Sequence, residues 1–256
     1  LVKHMKEIGE THRLKQVWFN FPKKEETDEY SVGEGNELTS LLLEIDGLSW
    51  NNNTSELLGS TIEYGDIKLH VLAPAHDVAY ENKPKEPDEL GVRSDDWYID
   101  LRTLIDNVDD DDIDEGGTNS QSIIILAECE GKKLLLPGDS TPKKLCDALQ
   151  SYNKTNGTPL ELDFMKLPHH GSTRNVTKNI LNEVTCSNFI ISTKKNNKYY
   201  FPNKETIAKL IRYRDSADKA INVYFNYQES LDVLGITAEE LTENNINLNV
   251  CNEFNF

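Results

Sequence analysis

The chain has 256 residues, 28% of them charged and 37% hydrophobic, with a formal net charge of −17. No apolar run approaches the roughly 20 residues that cross a bilayer, so a membrane-spanning helix is excluded. The acidic balance opposes broad contact with nucleic-acid phosphates or anionic membranes, though not a site that grips one phosphodiester.

Leu1, Met5, Ile8 and His12 recur at helical spacing and predict a helix over residues 1–15. Residues 16–21 alternate and stop at Pro22, a strand signal. Leu38, Leu41, Leu42 and Ile45 predict a second helix over 37–48, ended by Gly47. Residues 61–64 and 67–72 flank Gly65-Asp66 and read as a hairpin.

Residues 81–118 change character. Between Asp95 and Glu115 there are ten acids and one arginine, Arg102, with Asp109 to Asp112 unbroken. The composition predicts a solvated or partly disordered insertion, with a calcium-binding or regulatory loop as the alternative, and a surface that could also take a protein partner. An EF-hand is rejected, because the alternating ligand pattern and its fixed glycine are missing.

Order returns with a second hairpin, 122–126 and 133–136, around Glu130-Gly131. Thr141-Pro142 opens a helix, a cap residue followed by proline at the first position. Strands are predicted at 162–167, 188–193, 221–227 and 246–250, with helices at 176–184 and 202–213. Hairpins dominate the first half, and strands and helices alternate in the second. With no internal repeat and no linker, the whole of 1–256 reads as one α+β domain, helices outside sheets.

Two motifs carry chemistry. An apolar run ends in Leu136-Pro137-Gly138-Asp139, and another leads into Pro168-His169-His170-Gly171-Ser172. Two strand ends would deliver a carboxylate and an imidazole pair, each beside a glycine that lets the backbone bend. Carboxylate oxygen and imidazole nitrogen suit zinc or manganese. The alternatives for these residues are a helix N-terminal acid at Asp139 and structural histidines. Cys129, Cys146, Cys186 and Cys251 are scattered, form no CxxC pair and read as reduced thiols. The Asn-x-Thr sequons, Asn153 and Asn175 among them, read as surface loops.

The residues Asn119-x-x-Ser122, Gly138-Asp139 and Asp163-x-x-Lys166-x-x-His169-His170-Gly171-Ser172 resemble the metallo-β-lactamase fold, in particular its ComEC-type competence-protein branch. The resemblance covers roughly residues 60–227. It implies an αββα sandwich and a two-metal zinc or manganese centre, whose bridging water attacks an ester or phosphodiester. Asp139 would be the bridging acid and one of His169 and His170 the late histidine ligand. His76 is a further candidate ligand, and Asn119, Ser122, Lys166 and Ser172 would orient ligands or substrate. Two departures stand out. The family's His-x-His/Asp-x-Asp-His motif is missing, as though the chain began just after it; Leu1 in place of Met also points to processing or a fragment. Phe201 stands where relatives often carry a histidine before Pro202.

Three readings follow. One is a metal-dependent hydrolase, cytoplasmic for want of a secretory leader, acting on a small-molecule or phosphodiester substrate and inactive as this chain alone. The second is a degenerate, non-catalytic binding or regulatory module of the same fold. The third is a plain αβ domain with accidental motifs.

Overall fold

The computed structural model describes residues 2–20, 30–51, 54–73, 96–116, 119–157, 159–197 and 200–254, and within them two compact units, Leu1–Leu57 and Leu58–Phe256. The sequence by itself, with no repeat and no linker, reads as one domain over 1–256.

The first unit contains α1 (Val2–Glu7), β1 (Gln16–Trp18), α2 (Tyr30–Leu43) and β2 (Ser49–Asn51), with β1 and β2 paired in parallel. The helix expected over 1–15 stops at Glu7. Gly9 turns left-handed at φ +73°, the usual glycine helix stop, and Thr11–Arg13 is a separate 3-10 turn. The second helix begins and ends earlier than its apolar spacing indicates: it starts at Tyr30, ahead of the first periodic apolar residue, Leu38, and stops at Leu43, short of Gly47.

Among the described residues the second unit is built on one mixed eight-stranded sheet. Its antiparallel half is a meander of β3 (Thr61–Tyr64), β4 (Ile67–Ala73), β5 (Ile124–Cys129) and β6 (Lys132–Leu136). After α3 (Leu101–Asp106), which lies between β4 and β5 in sequence, and α4 (Pro142–Asn156), the chain forms β7 (Leu160–Glu161) and β8 (Phe164–Lys166). Then come α5 (Lys178–Asn182), β9 (Val184–Thr185), β10 (Asn188–Ile191), α6 (Lys204–Tyr213) and β11 (Ile221–Phe225), and finally α7 (Gln228–Asp232), α8 (Ala238–Glu243) and β12 (Ile246–Val250). β8, β10, β11 and β12 extend the sheet from β6, each parallel to its neighbour; β7 and β9 form a small parallel pair of their own. The expected α+β class is therefore the observed one.

Register explains the core. Leu126, Leu135, Met165, Phe189 and Val223 stand opposite one another on successive strands and are all buried. Alternation along each strand sends this row to one face, where burial of each large apolar side chain stabilises by about 1.5–3 kcal/mol. The helix α5 packs between α4 and α6, and α3 packs on α6.

The acidic insertion departs from expectation. Residues 81–95 lie outside the described residues, but 96–116 are ordered against the fold. Asp100 caps α3 by accepting the Thr103 amide, and Leu101 and Leu104 of α3 are buried. Acids dominate the composition here and mask two apolar residues one turn apart. The sequon residues Asn153 and Asn175 are buried and hydrogen-bonded rather than in surface loops.

Two short helices, α7 and α8, were not foreseen. The second is announced by a capping box: Thr237 accepts the Glu240 amide and Glu240 accepts the Thr237 amide. Glu240 also accepts the Leu101 amide at the start of α3, at 3.0 Å. Burial works against ionisation of this carboxyl, but the two amides and the Thr237 hydroxyl outweigh it and hold its pKa below the ordinary value. A depressed carboxyl pKa lends stability that is present above the unfolded value, about 4.3, and lost as pH falls through the lower folded one. Glu240→Gln should therefore flatten the acid-side fall of the urea midpoint. An unchanged slope below the ordinary glutamate range would refute it.

Among the described residues no helix is long and apolar enough to cross a membrane.

Candidate functional site

Because β6, β8 and β10 are adjacent and parallel, the loops that follow them emerge at the same edge of the sheet. Ligands in open α/β sheets bind outside the carboxyl ends of such strands. The loop after β6 carries Asp139, the loop after β8 carries His169 and His170, and Ser192 follows β10.

Local backbone places these side chains. Gly138 is left-handed (φ +61°), and a Cβ there would come within 3.1 Å of the Ser122 Cβ. Ser122 Oγ accepts the Asp139 amide at 3.2 Å, so the serine both crowds and holds the acid's loop. His169, His170 and Gly171 are left-handed in succession, at φ 44°, 59° and 79°. Left-handed backbone costs a non-glycine residue about 1–3 kcal/mol and persists only where the surroundings over-determine it.

The two histidines face different partners. His170 Nδ1 lies 2.7 Å from the Ser192 carbonyl, which can only accept, so this nitrogen carries the proton. In the neutral ring Nε2 is then the nitrogen with the lone pair, and it lies 3.9 Å from Asp139 Oδ2. Both side chains reach solvent, at 45% and 43% exposure. His169 is more enclosed. Its Nδ1 lies 3.2 Å from Asn175 Oδ1, 3.4 Å from Asp114 Oδ2 and 3.5 Å from Asn119 Nδ2. Burial opposes its protonation, but the hydrogen bond to Asp114 and the charges of Asp139 and Asp114 raise its pKa above the ordinary histidine value. Asp114 is itself buried, which works against its charge. Hydrogen bonds from His169, Asn175, the Gly116 amide and Asn119 win, and they hold its carboxyl far below the usual range.

Other residues singled out from sequence fall around this pair. Lys166 donates to the Leu167 carbonyl at 3.2 Å; burial lowers its pKa, while the charge of Asp139 acts the other way. Asn119 donates to Asp114 Oδ2 at 2.7 Å rather than to Asp139. Ser172 is buried beside the histidines. Phe201 packs its ring against both imidazoles, at 5.7 Å from His169 and 6.3 Å from His170. His76 lies outside the described residues. Among the described residues, no three or more His, Cys, Asp or Glu side chains gather as a group able to hold a metal ion.

Asp114 and Asn175 are the residues that sequence reasoning missed. Asp114 was absorbed into the acid-rich run and Asn175 into a sequon. The acid run is not a solvated face. Asp110 pairs with Lys209 at 3.0 Å and Asp112 with Arg174 at 3.0 Å, and Asp114 reaches His169; Asp111 and Glu115 remain exposed.

Fold and site together define an α+β protein with a carboxylate and two imidazoles at the carboxyl ends of neighbouring parallel strands. No family profile matches the chain. It is similar to Recombination protein 2 of Haemophilus influenzae, with 28% identity over 120 residues. That match takes in 45% of this chain but only 14% of the other protein's length.

Proposed function

We propose that this chain carries part of the site of a metal-dependent hydrolase of the metallo-β-lactamase type, with Asp139 and His170 as donors to zinc or manganese. The observation that carries the reading is the geometry of His170, whose Nδ1 is tied to the Ser192 carbonyl at 2.7 Å while its Nε2 lies 3.9 Å from Asp139 Oδ2. A histidine tied through one nitrogen to a carbonyl and offering the other is the usual arrangement of a metal ligand. Zinc takes about four ligands, so a metal held here needs donors beyond these two. When bound, such a metal lowers the pKa of a coordinated water to near 7 and supplies hydroxide at neutral pH.

This chain's residues would do the rest. Ser122 steadies the Asp139 loop, the Ser192 carbonyl orients His170, and the Lys166 ammonium lies within the field of Asp139. His169 adds a second imidazole to the same loop. A phosphodiester is the substrate class to assay first, since the similar protein is named for recombination. With a net charge of −17, contact confined to one scissile group fits better than a broad nucleic-acid surface.

The test is metal content by plasma mass spectrometry after dialysis against zinc or manganese, alongside hydrolysis of bis(p-nitrophenyl) phosphate. Altering groups behind a ligand costs about 10–100-fold in metal affinity. Asp139→Asn and His170→Ala, which remove donors outright, should each cost at least that.

A second reading is favoured by the Phe201 ring beside His169 and by the absence of a three-donor group among the described residues. It is a non-catalytic binding module of the same fold. A wild-type protein that retains no metal decides for it.

A further inference from the structure

We infer that Asp114 is a positioning residue for His169: together with Asn175 it fixes the proton on Nδ1 and leaves Nε2 as the bare nitrogen, so that both members of the histidine pair present the same tautomer.

The argument is one of donors and acceptors. Asn175 Nδ2 donates to Asp114 Oδ2 at 2.8 Å and to the Ser140 carbonyl at 3.1 Å. Both partners can only accept, so the orientation of the Asn175 amide is settled and its Oδ1 is the atom 3.2 Å from His169 Nδ1. Asp114 Oδ2, at 3.4 Å, is a second acceptor at the same nitrogen. Among the described residues Asn119 Nδ2, at 3.5 Å, is the one donor in reach; that distance is at the limit of a hydrogen bond, and its short bond, at 2.7 Å, goes to Asp114. An imidazole nitrogen between a carboxylate and an amide oxygen must donate. His170 reaches the same state by another route, through the Ser192 carbonyl.

Asp114 is well placed for this work because it is held on all sides. Its amide donates to the Arg174 carbonyl at 3.0 Å, its Oδ1 accepts the Gly116 amide at 2.8 Å, and the preceding acids are pinned by Lys209 and Arg174. Fixing the tautomer of an imidazole through a carboxylate raises its basicity at the other nitrogen. The role this gives His169, a bare Nε2 on a ring whose centre lies 6.2 Å from that of His170, rests on the hydrolase reading; the tautomer itself does not.

The experiment is long-range 1H–15N correlation of the histidine side chains in the full chain, in alkaline buffer where imidazoles are neutral. His169 and His170 are assigned by His169→Gln and His170→Gln. Wild-type protein should show both as the Nδ1–H form. Asp114→Ala should move His169 toward the Nε2–H form that free imidazole side chains prefer and leave His170 unmoved. His169 in the Nε2–H form in wild type overturns the inference, and that spectrum needs no variant of Asp114 to fold. An Asp114→Ala protein that folds and keeps His169 as Nδ1–H overturns the role of Asp114. Adding zinc to the same wild-type sample separates the two proposals. Nδ1–H signals with no change on zinc addition sink the metal reading alone; a zinc response with His169 as Nε2–H sinks this inference alone.

Discussion

Lys209→Met should lower the stability of the protein by about 3–5 kcal/mol, the range for breaking a buried ion pair by removing one partner. Lys209 is fully buried within α6, and its ammonium contacts three oxygens: Asp110 Oδ1 at 3.0 Å, the Thr173 carbonyl at 2.9 Å and the Val176 carbonyl at 3.1 Å. Methionine fills the space of the stem but takes the ammonium away from a carboxylate and two carbonyls, leaving Asp110 the Lys178 amide at 3.2 Å. The loss should read as a lower urea midpoint with an unchanged slope. Lys219→Met, which breaks an exposed pair with Asp215, should shift stability by no more than about 0.5 kcal/mol. Adding Asp110→Leu to Lys209→Met should recover part of the loss, because the uncompensated charge goes with it. A Lys209→Met midpoint within about 1 kcal/mol of wild type would show that the strap of acids is not held by this lysine.

The second large effect is expected at Gly171→Ala. This residue is left-handed at φ +79°, where a side chain costs roughly 1–2 kcal/mol. The new methyl would also stand 3.2–3.3 Å from three carbons of Ile191. Ile191 is fully buried in β10 and cannot swing aside, so overpacking adds about 1–3 kcal/mol. The sum is about 2–5 kcal/mol. Gly131→Ala serves as the comparison: it has a similar φ of +78° and nothing within 4 Å of the added carbon, so it should show the conformational cost alone. Equal losses at the two glycines would mean that Ile191 yields, and that packing does not set the path of the histidine loop. The Gly171 carbonyl also accepts the Thr206 hydroxyl at 2.7 Å, so a shifted loop should disturb the histidine correlation spectrum as well.

The two hairpins of the sheet were legible in the sequence because their signals are local. Alternating apolar residues flank Gly65-Asp66 and Glu130-Gly131, and these pairs turn the chain as expected, with Gly65, Glu130 and Gly131 all left-handed. The strand ends bearing Asp139 and the histidine pair were legible for the same reason. An apolar run, a bend residue and a polar residue with no packing role lie next to one another in the chain.

What the sequence left open was which histidine faces the acid and what the long acidic stretch does. Both depend on partners far away in the chain. His170 is settled by the Ser192 carbonyl, 22 residues on, and Asp114 meets Asn175 across 61 residues. Composition makes Asp109 to Asp112 look solvated, since a run of like charges repels itself unless cations are brought to it. The tertiary structure brings Lys209 and Arg174. Periodicity and turn chemistry act over a few residues and so can be read along the chain. Charge compensation and tautomer selection act through space, and only the packed fold decides them.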